Sequence, residues 1–161
     1  MILGAHESVA GGLHLAFERG ARDGAEALQL WSRSSRQWAA KALDPDAVAT
    51  FRAAHAACPG GTTFPLAAHA SYLINLAAPD DTVWERSQEA LLDELLRAEA
   101  LGVHHVIVHP RASLRADRAT GIARVVTAAV ERDVPLLGLC YGIGALTSTL
   151  GGVVDRTSGA R

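Results

Sequence analysis

The sequence predicts an α/β protein built on a parallel sheet of about five βα units, either open or dimerised. Three observations lead there. Strand-like and helix-like segments alternate along all 161 residues, a pattern that calls for parallel strands joined by right-handed crossovers. Two of the apolar runs stop on an imidazole, His69 and His109, at the strand ends where such folds gather their chemistry. The composition, 49% hydrophobic and 20% charged, is that of a compact globular chain. Its length suits one α/β domain over residues 1–161 with a sizeable core.

Residues 1–5 read as a short apolar strand and 11–20 as the start of the helix that follows. A second strand falls at 27–31. Asp44 reads as an N-cap with Pro45 in the first helical position, and Val48, Phe51 and Arg52 continue that helix toward Cys58. The third strand is expected at 62–68. Residues 81–101 give the clearest helix, with Leu91, Leu92, Leu95, Leu96 and Ala98 as one apolar stripe and Gly102 ending it. A fourth strand at 104–108, a helix at 120–132 and a fifth strand at 134–139 complete the pattern. A closed eightfold barrel takes roughly 200 residues or more, so five strands fall short of one. The first and fifth strands would be unpaired edges, which favours either an open sheet or a homo-oligomer joined through those edges.

Composition narrows function only by exclusion. A net charge of −2 gives no global attraction for nucleic acid, so DNA binding would need a local basic rim. The two cysteines, Cys58 and Cys140, stand far apart in dissimilar contexts and do not suggest a disulfide framework. No run is long and apolar enough for a membrane span and the N-terminus carries no signal-peptide pattern. No membrane partner is expected, and the expected compartment is cytoplasmic.

The motifs say more. They are Leu3-Gly-Ala-His-Glu-Ser-Val-Ala-Gly-Gly-Leu, Ser35-Arg-Gln-Trp, Phe64-Pro-Leu-Ala-Ala-His followed by Ala70-Ser-Tyr-Leu-Ile-Asn-Leu, and Val106-Ile-Val-His-Pro. In this order and register, residues 1 to about 113 closely resemble endonuclease IV, a family of zinc-dependent enzymes that cut DNA at abasic sites. The resemblance implies a partial TIM barrel and a DNA-repair phosphodiesterase. It also implies that His69 and His109 are zinc ligands, and that Arg36 and Tyr72 contact DNA around the abasic nucleotide, with Gln37 and Asn75 beside them. Those residue types suit the work. Neutral imidazoles at neighbouring strand ends can share one Zn²⁺, which lowers the pKa of water to roughly 7. A guanidinium fork binds two phosphate oxygens at once, and a tyrosine can wedge into a base stack. His6 and Glu7 are expected as pocket residues at the end of strand one, Glu7 also as a further candidate ligand.

The family's cluster holds three zinc ions, and its strand-five glutamate is replaced here by Gly138-Leu-Cys-Tyr-Gly. At most one zinc site is therefore expected, with Cys140 as the candidate third ligand beside His69 and His109. Cleavage is expected to be incomplete or absent. The segment from about 126 to 157 instead resembles the nucleophile elbow of class I glutamine amidotransferases, through Val134-Pro-Leu-Leu-Gly-Leu-Cys-Tyr-Gly and Leu150-Gly-Gly-Val-Val-Asp-Arg. That resemblance implies a nucleophilic role for Cys140 at a tight strand-to-helix turn. Two alternatives to the nuclease follow: an amidotransferase-like fragment, and a non-catalytic half barrel that oligomerises. Outside these motifs the expectations are structural. His104 and His105 open strand four away from the rim, His14 and His55 lie exposed on helices, and Trp31, Trp38 and Trp84 pack in the core or at an interface.

Overall fold

A computed structural model describes residues 1–109 and 118–130. Over these it shows four parallel strands, β1 (Gly4–His6), β2 (Ala27–Leu30), β3 (Leu66–His69) and β4 (His105–Ile107), paired in the order β1-β2-β3-β4. The helices are α1 (Leu15–Asp23), α2 (Pro45–Ala56), α3 (Asp81–Leu101) and α4 (Arg118–Val130). The expected parallel α/β architecture is therefore present, while the expected fifth strand at 134–139 lies outside the described residues. Two compact units share the chain. Met1–Ile74 and Glu89–His109 form the first, which contains the whole sheet; Asn75–Gln88 and Pro110–Arg161 form the second.

The strand register sorts side chains onto two faces, because successive residues of a strand point to opposite sides. Leu28 pairs with Leu66, and Leu30 with Ala68, which pairs with Val106. Leu28, Leu30, Leu66 and Ala68 join Ala16 and Phe17 of α1, Phe51 of α2, Ala98 and Leu101 of α3, and Val103 in one buried cluster. On the other face stand His6, Gln29, Ala67 and His105 in one row and His69 with Ile107 in the next. The apolar layer thus fixes the register, and the register brings the two rows of polar strand ends to one rim.

Local signals explain the helix boundaries. Asp44 caps α2 by accepting from the Asp46 amide at 2.9 Å, with Pro45 at the first helical position, as the sequence predicts. In the second unit, the Asp80 carboxylate accepts from Val83 N at 2.9 Å and caps the start of α3. Gly102 ends α3 at φ 73°, where the Val103 amide reaches back to the Ala98 carbonyl at 2.8 Å.

Three expectations are corrected. Residues 61–63 form a short 3₁₀ turn rather than the start of β3, with Gly60 and Gly61 both at positive φ and Thr63 Oγ1 bonded to the Gly60 carbonyl. His55 is buried, at 5% exposure, rather than on the surface. Its Nε2 bonds the Phe64 carbonyl at 3.0 Å, and its ring stacks on Phe17 at 5.6 Å, so a satisfied polar atom lets the ring join the core. The Leu stripe of α3 is not buried as one face: Leu92 and Leu96 are 49% and 55% exposed, while Glu94 and Arg97 are buried at 1% and 9%.

Gly20 gives the fold a test. It lies in α1 against Leu28, and a Cβ there would collide with Leu28 Cδ2 and meet Cδ1 and Cγ at 3.2 Å. Alanine would gain about 1 kcal/mol of helix propensity. Overpacking against a leucine that is 3% exposed costs about 1–3 kcal/mol. Gly20→Ala is therefore expected to lower the denaturation midpoint; a higher midpoint would show that α1 does not approach β2 this closely.

Candidate functional site

The first unit gathers its polar rim where β1, β2 and β3 end and just past β4. His69, the last residue of β3, is 6% exposed, and His109 stands two residues beyond β4. Their Nε2 atoms are 3.1 Å apart. His69 Nδ1 is 2.7 Å from the Ala70 carbonyl. A carbonyl only accepts, so Nδ1 carries a proton, and in the neutral ring Nε2 keeps its lone pair toward His109. Two arrangements satisfy this pair. His109 Nε2–H donates to His69, or both nitrogens present lone pairs to one cation. The second is a close fit, since two nitrogens on a tetrahedral zinc at 2.0–2.1 Å lie about 3.3 Å apart. The carbonyl bond to Nδ1 is also the outer partner that orients metal-ligating histidines.

Aromatic rings enclose the pair. Trp31, one residue past β2, lies 4.1 Å from the His6 ring and 5.8 Å from His69 by centroid. Tyr72 is 5.1 Å from His69 and stacks on His109 at 6.1 Å with an interplanar angle of 12°. It is 41% exposed, so one side of the ring faces outward. His6 is 6.2 Å from His69 and its pKa is lowered, first by burial and then by His69, against an opposing pull from Glu7. Glu7 is buried at 8% and its amide continues the β1–β2 ladder to the Gln29 carbonyl. Among the described residues, no group of three or more His, Cys, Asp or Glu is placed to hold a metal ion. His6 stands beside the pair, at 6.2 Å from the His69 ring, with Glu7 next to it in sequence.

The loop after β2 carries Arg36 and Gln37, both exposed. Its Ser35 carbonyl accepts from Tyr72 N at 3.2 Å and from Ser71 Oγ at 3.0 Å, which joins this loop to the one after β3. Asn75 belongs to the second unit, where its side chain accepts from Ala77 N at 3.2 Å. Cys140 lies outside the described residues, as does the proposed elbow around it. His104 and His105 are exposed, and β4 begins at the second of them.

The sequence reading missed four residues near this rim. Trp31 belongs to the aromatic wall rather than to the core or an interface, and its position directly after a strand was the available signal. Glu94, Arg33 and Arg97 form a buried polar group behind the two loops. Glu94 accepts from Ser32 Oγ at 2.8 Å and Ser71 N at 2.9 Å. Arg33 Nε lies 3.1 Å from Glu94 Oε1, though its N–H is not aimed at that oxygen. Arg97 donates to the Ser32 carbonyl at 2.7 Å and the Lys41 carbonyl at 2.9 Å. Burial lowers the Arg97 pKa, while Asp93 and Glu94 oppose that shift.

Residues 17–132 match the family described as xylose isomerase-like TIM barrel. The chain belongs to that family, on its endonuclease IV branch. It is similar to the protein named "Probable endonuclease 4" of Chloroflexus aurantiacus, 38% identical over 156 residues that cover 97% of this chain and 50% of that protein. A protein of the same name from Nitratidesulfovibrio vulgaris is 43% identical over 123 residues, covering 76% and 42% respectively. Among solved structures, endonuclease IV from Thermus thermophilus superposes with a TM-score of 0.72 at 32% identity, covering 94% of this chain and 59% of that one. The chain thus spans about half the length of the curated relatives it matches. The match to the Chloroflexus protein, covering 156 of 161 residues, extends past residue 113, where the motif resemblance to endonuclease IV ends. Among the described residues no helix is long and apolar enough to cross a membrane.

Proposed function

We propose that the chain binds zinc through His69 and His109 and engages DNA at abasic sites with the adjoining rim, as a phosphodiester hydrolase of the endonuclease IV type. One observation carries this reading: two strand-end imidazoles converge to 3.1 Å, with the His69 proton held on the far nitrogen by the Ala70 carbonyl. A zinc ion bound there supplies Lewis acidity toward a phosphoryl oxygen and hydroxide at neutral pH. The chain's own residues do the rest. His69 and His109 hold the cation, Tyr72 offers an outward ring face beside them, and Arg36 stands on an exposed loop suited to phosphate. With a net charge of −2, DNA affinity rests on such local contacts rather than on the overall field.

The test is binding and cleavage of a duplex carrying one abasic site, against an intact duplex, with zinc and with a chelator. The parent is expected to prefer the abasic duplex. An Arg36→Ala, Tyr72→Ala double variant is expected to weaken binding about tenfold or more. Loss of the Arg36 contact should also reduce the salt slope of binding by about one. Equal affinity for both duplexes, or an unchanged double variant, would overturn the DNA reading.

A further inference from the structure

Helix α3 turns its charges inward. Within 89–101 it buries Glu94 and Arg97 and leaves Leu92 and Leu96 half exposed. Burying either leucine fully would contribute about 1.5–3 kcal/mol, whereas a buried carboxylate costs several kcal/mol unless it is paired and hydrogen-bonded. The orientation of the helix is therefore set by what Glu94 and Arg97 reach. Glu94 holds Ser32 just after β2 and Ser71 just after β3. Ser71 in turn donates to Ser35, and Ser35 also receives the Tyr72 amide. Arg33 ties the same loop to itself, donating to the Gln37 and Trp38 carbonyls at 3.5 and 3.2 Å while pairing with Asp93 at 2.5 Å. Every one of these bonds lands on the two loops that carry Trp31, Arg36 and Tyr72, and none lands on His69 or His109.

We propose that Glu94, supported by Arg33 and Arg97, is a positioning residue that fixes the β2 loop against the β3 loop so that Arg36 and Tyr72 act on one DNA ligand as a unit. The proposal rests on the DNA reading above and assigns a residue remote from the metal pair. Its signature is a split: DNA contact depends on Glu94, and metal holding does not.

The experiment uses the full chain with zinc and compares the parent with Glu94→Gln and Ser71→Ala. Each is measured for zinc per chain, for affinity toward an abasic-site duplex, and for amide exchange at residues 32–38 and 71–72. Glu94→Gln keeps an acceptor but removes the charge between two buried guanidiniums. Ser71→Ala removes only the side-chain bond to Ser35 and serves if the first variant does not fold. Both are expected to keep the parent's zinc content, to lose about tenfold or more in DNA affinity, and to exchange faster at those amides. Adding Arg36→Ala to either should weaken binding less than about twofold further, because the contact is already lost.

Zinc lost together with DNA affinity, unchanged affinity in a folded variant, or fully multiplicative losses with Arg36→Ala would each overturn the proposal. If the parent shows no preference for abasic DNA, the functional reading falls instead, and the loop coupling is decided by exchange alone. Unchanged exchange at residues 71–72 in the variants would then overturn it.

Discussion

Alanine at both His69 and His109 is expected to empty the protein of zinc, from about one ion per chain to none. The two Nε2 atoms stand 3.1 Å apart, within the span of a single cation. Their preparation is asymmetric. His69 is buried and held by the Ala70 carbonyl, whereas His109 is exposed. His69→Ala alone should therefore be nearly as damaging as the pair, since it removes the oriented lone pair. His104→Ala is the control, because that side chain is exposed and lies before β4 begins, at the end of the strand opposite His109. Metal content measured on dialysed protein separates the outcomes. A parent without zinc, or a double variant that keeps it, would sink the metal reading while leaving the fold untouched.

The second large effect concerns stability. Phe51→Ala is expected to cost about 3–5 kcal/mol. Phe51 is fully buried, packs at 5.0 Å on the Phe17 ring and belongs to the cluster that joins α1, α2 and the sheet. Whole domains are stable by only about 5–15 kcal/mol, so the variant should unfold at much lower urea. A shift below about 1 kcal/mol would mean that the site collapses around the smaller side chain, or that α2 contributes little to the core.

How far could these features be read from the amino acids? Capping chemistry was legible wherever a side chain and its backbone partner are close in sequence, as at Asp44 with Pro45 and at Gly102. The parallel order followed from alternation, and the histidines at the ends of two apolar runs led to the rim. Legibility failed where a distant partner decides the outcome. His55 reads as a surface residue until Phe64 supplies a carbonyl and Phe17 a ring face. Residues 62–63 look like β-formers, yet the two preceding glycines turn the chain first. On α3 the apolar spacing pointed to the leucines, and the burial of Glu94 and Arg97 became visible only with Ser32 and Ser71 in place. Local rules capture local bonds; long-range polar bonds override them.

The buried trio on α3 and the β2 loop also constrains how this lineage can change. Removing Glu94 leaves two buried guanidiniums without their carboxylate, a loss that often reaches 3–5 kcal/mol. Removing either arginine leaves carbonyls of the β2 loop without their donor. Replacing all three together with apolar residues of similar volume can be neutral or even stabilising. Single steps therefore lead downhill although the far side of the valley is level, a case of strong epistasis. Drift is expected to spare these positions as a block or to exchange them as a block, while Leu92 and Leu96 on the outer face of the same helix vary freely.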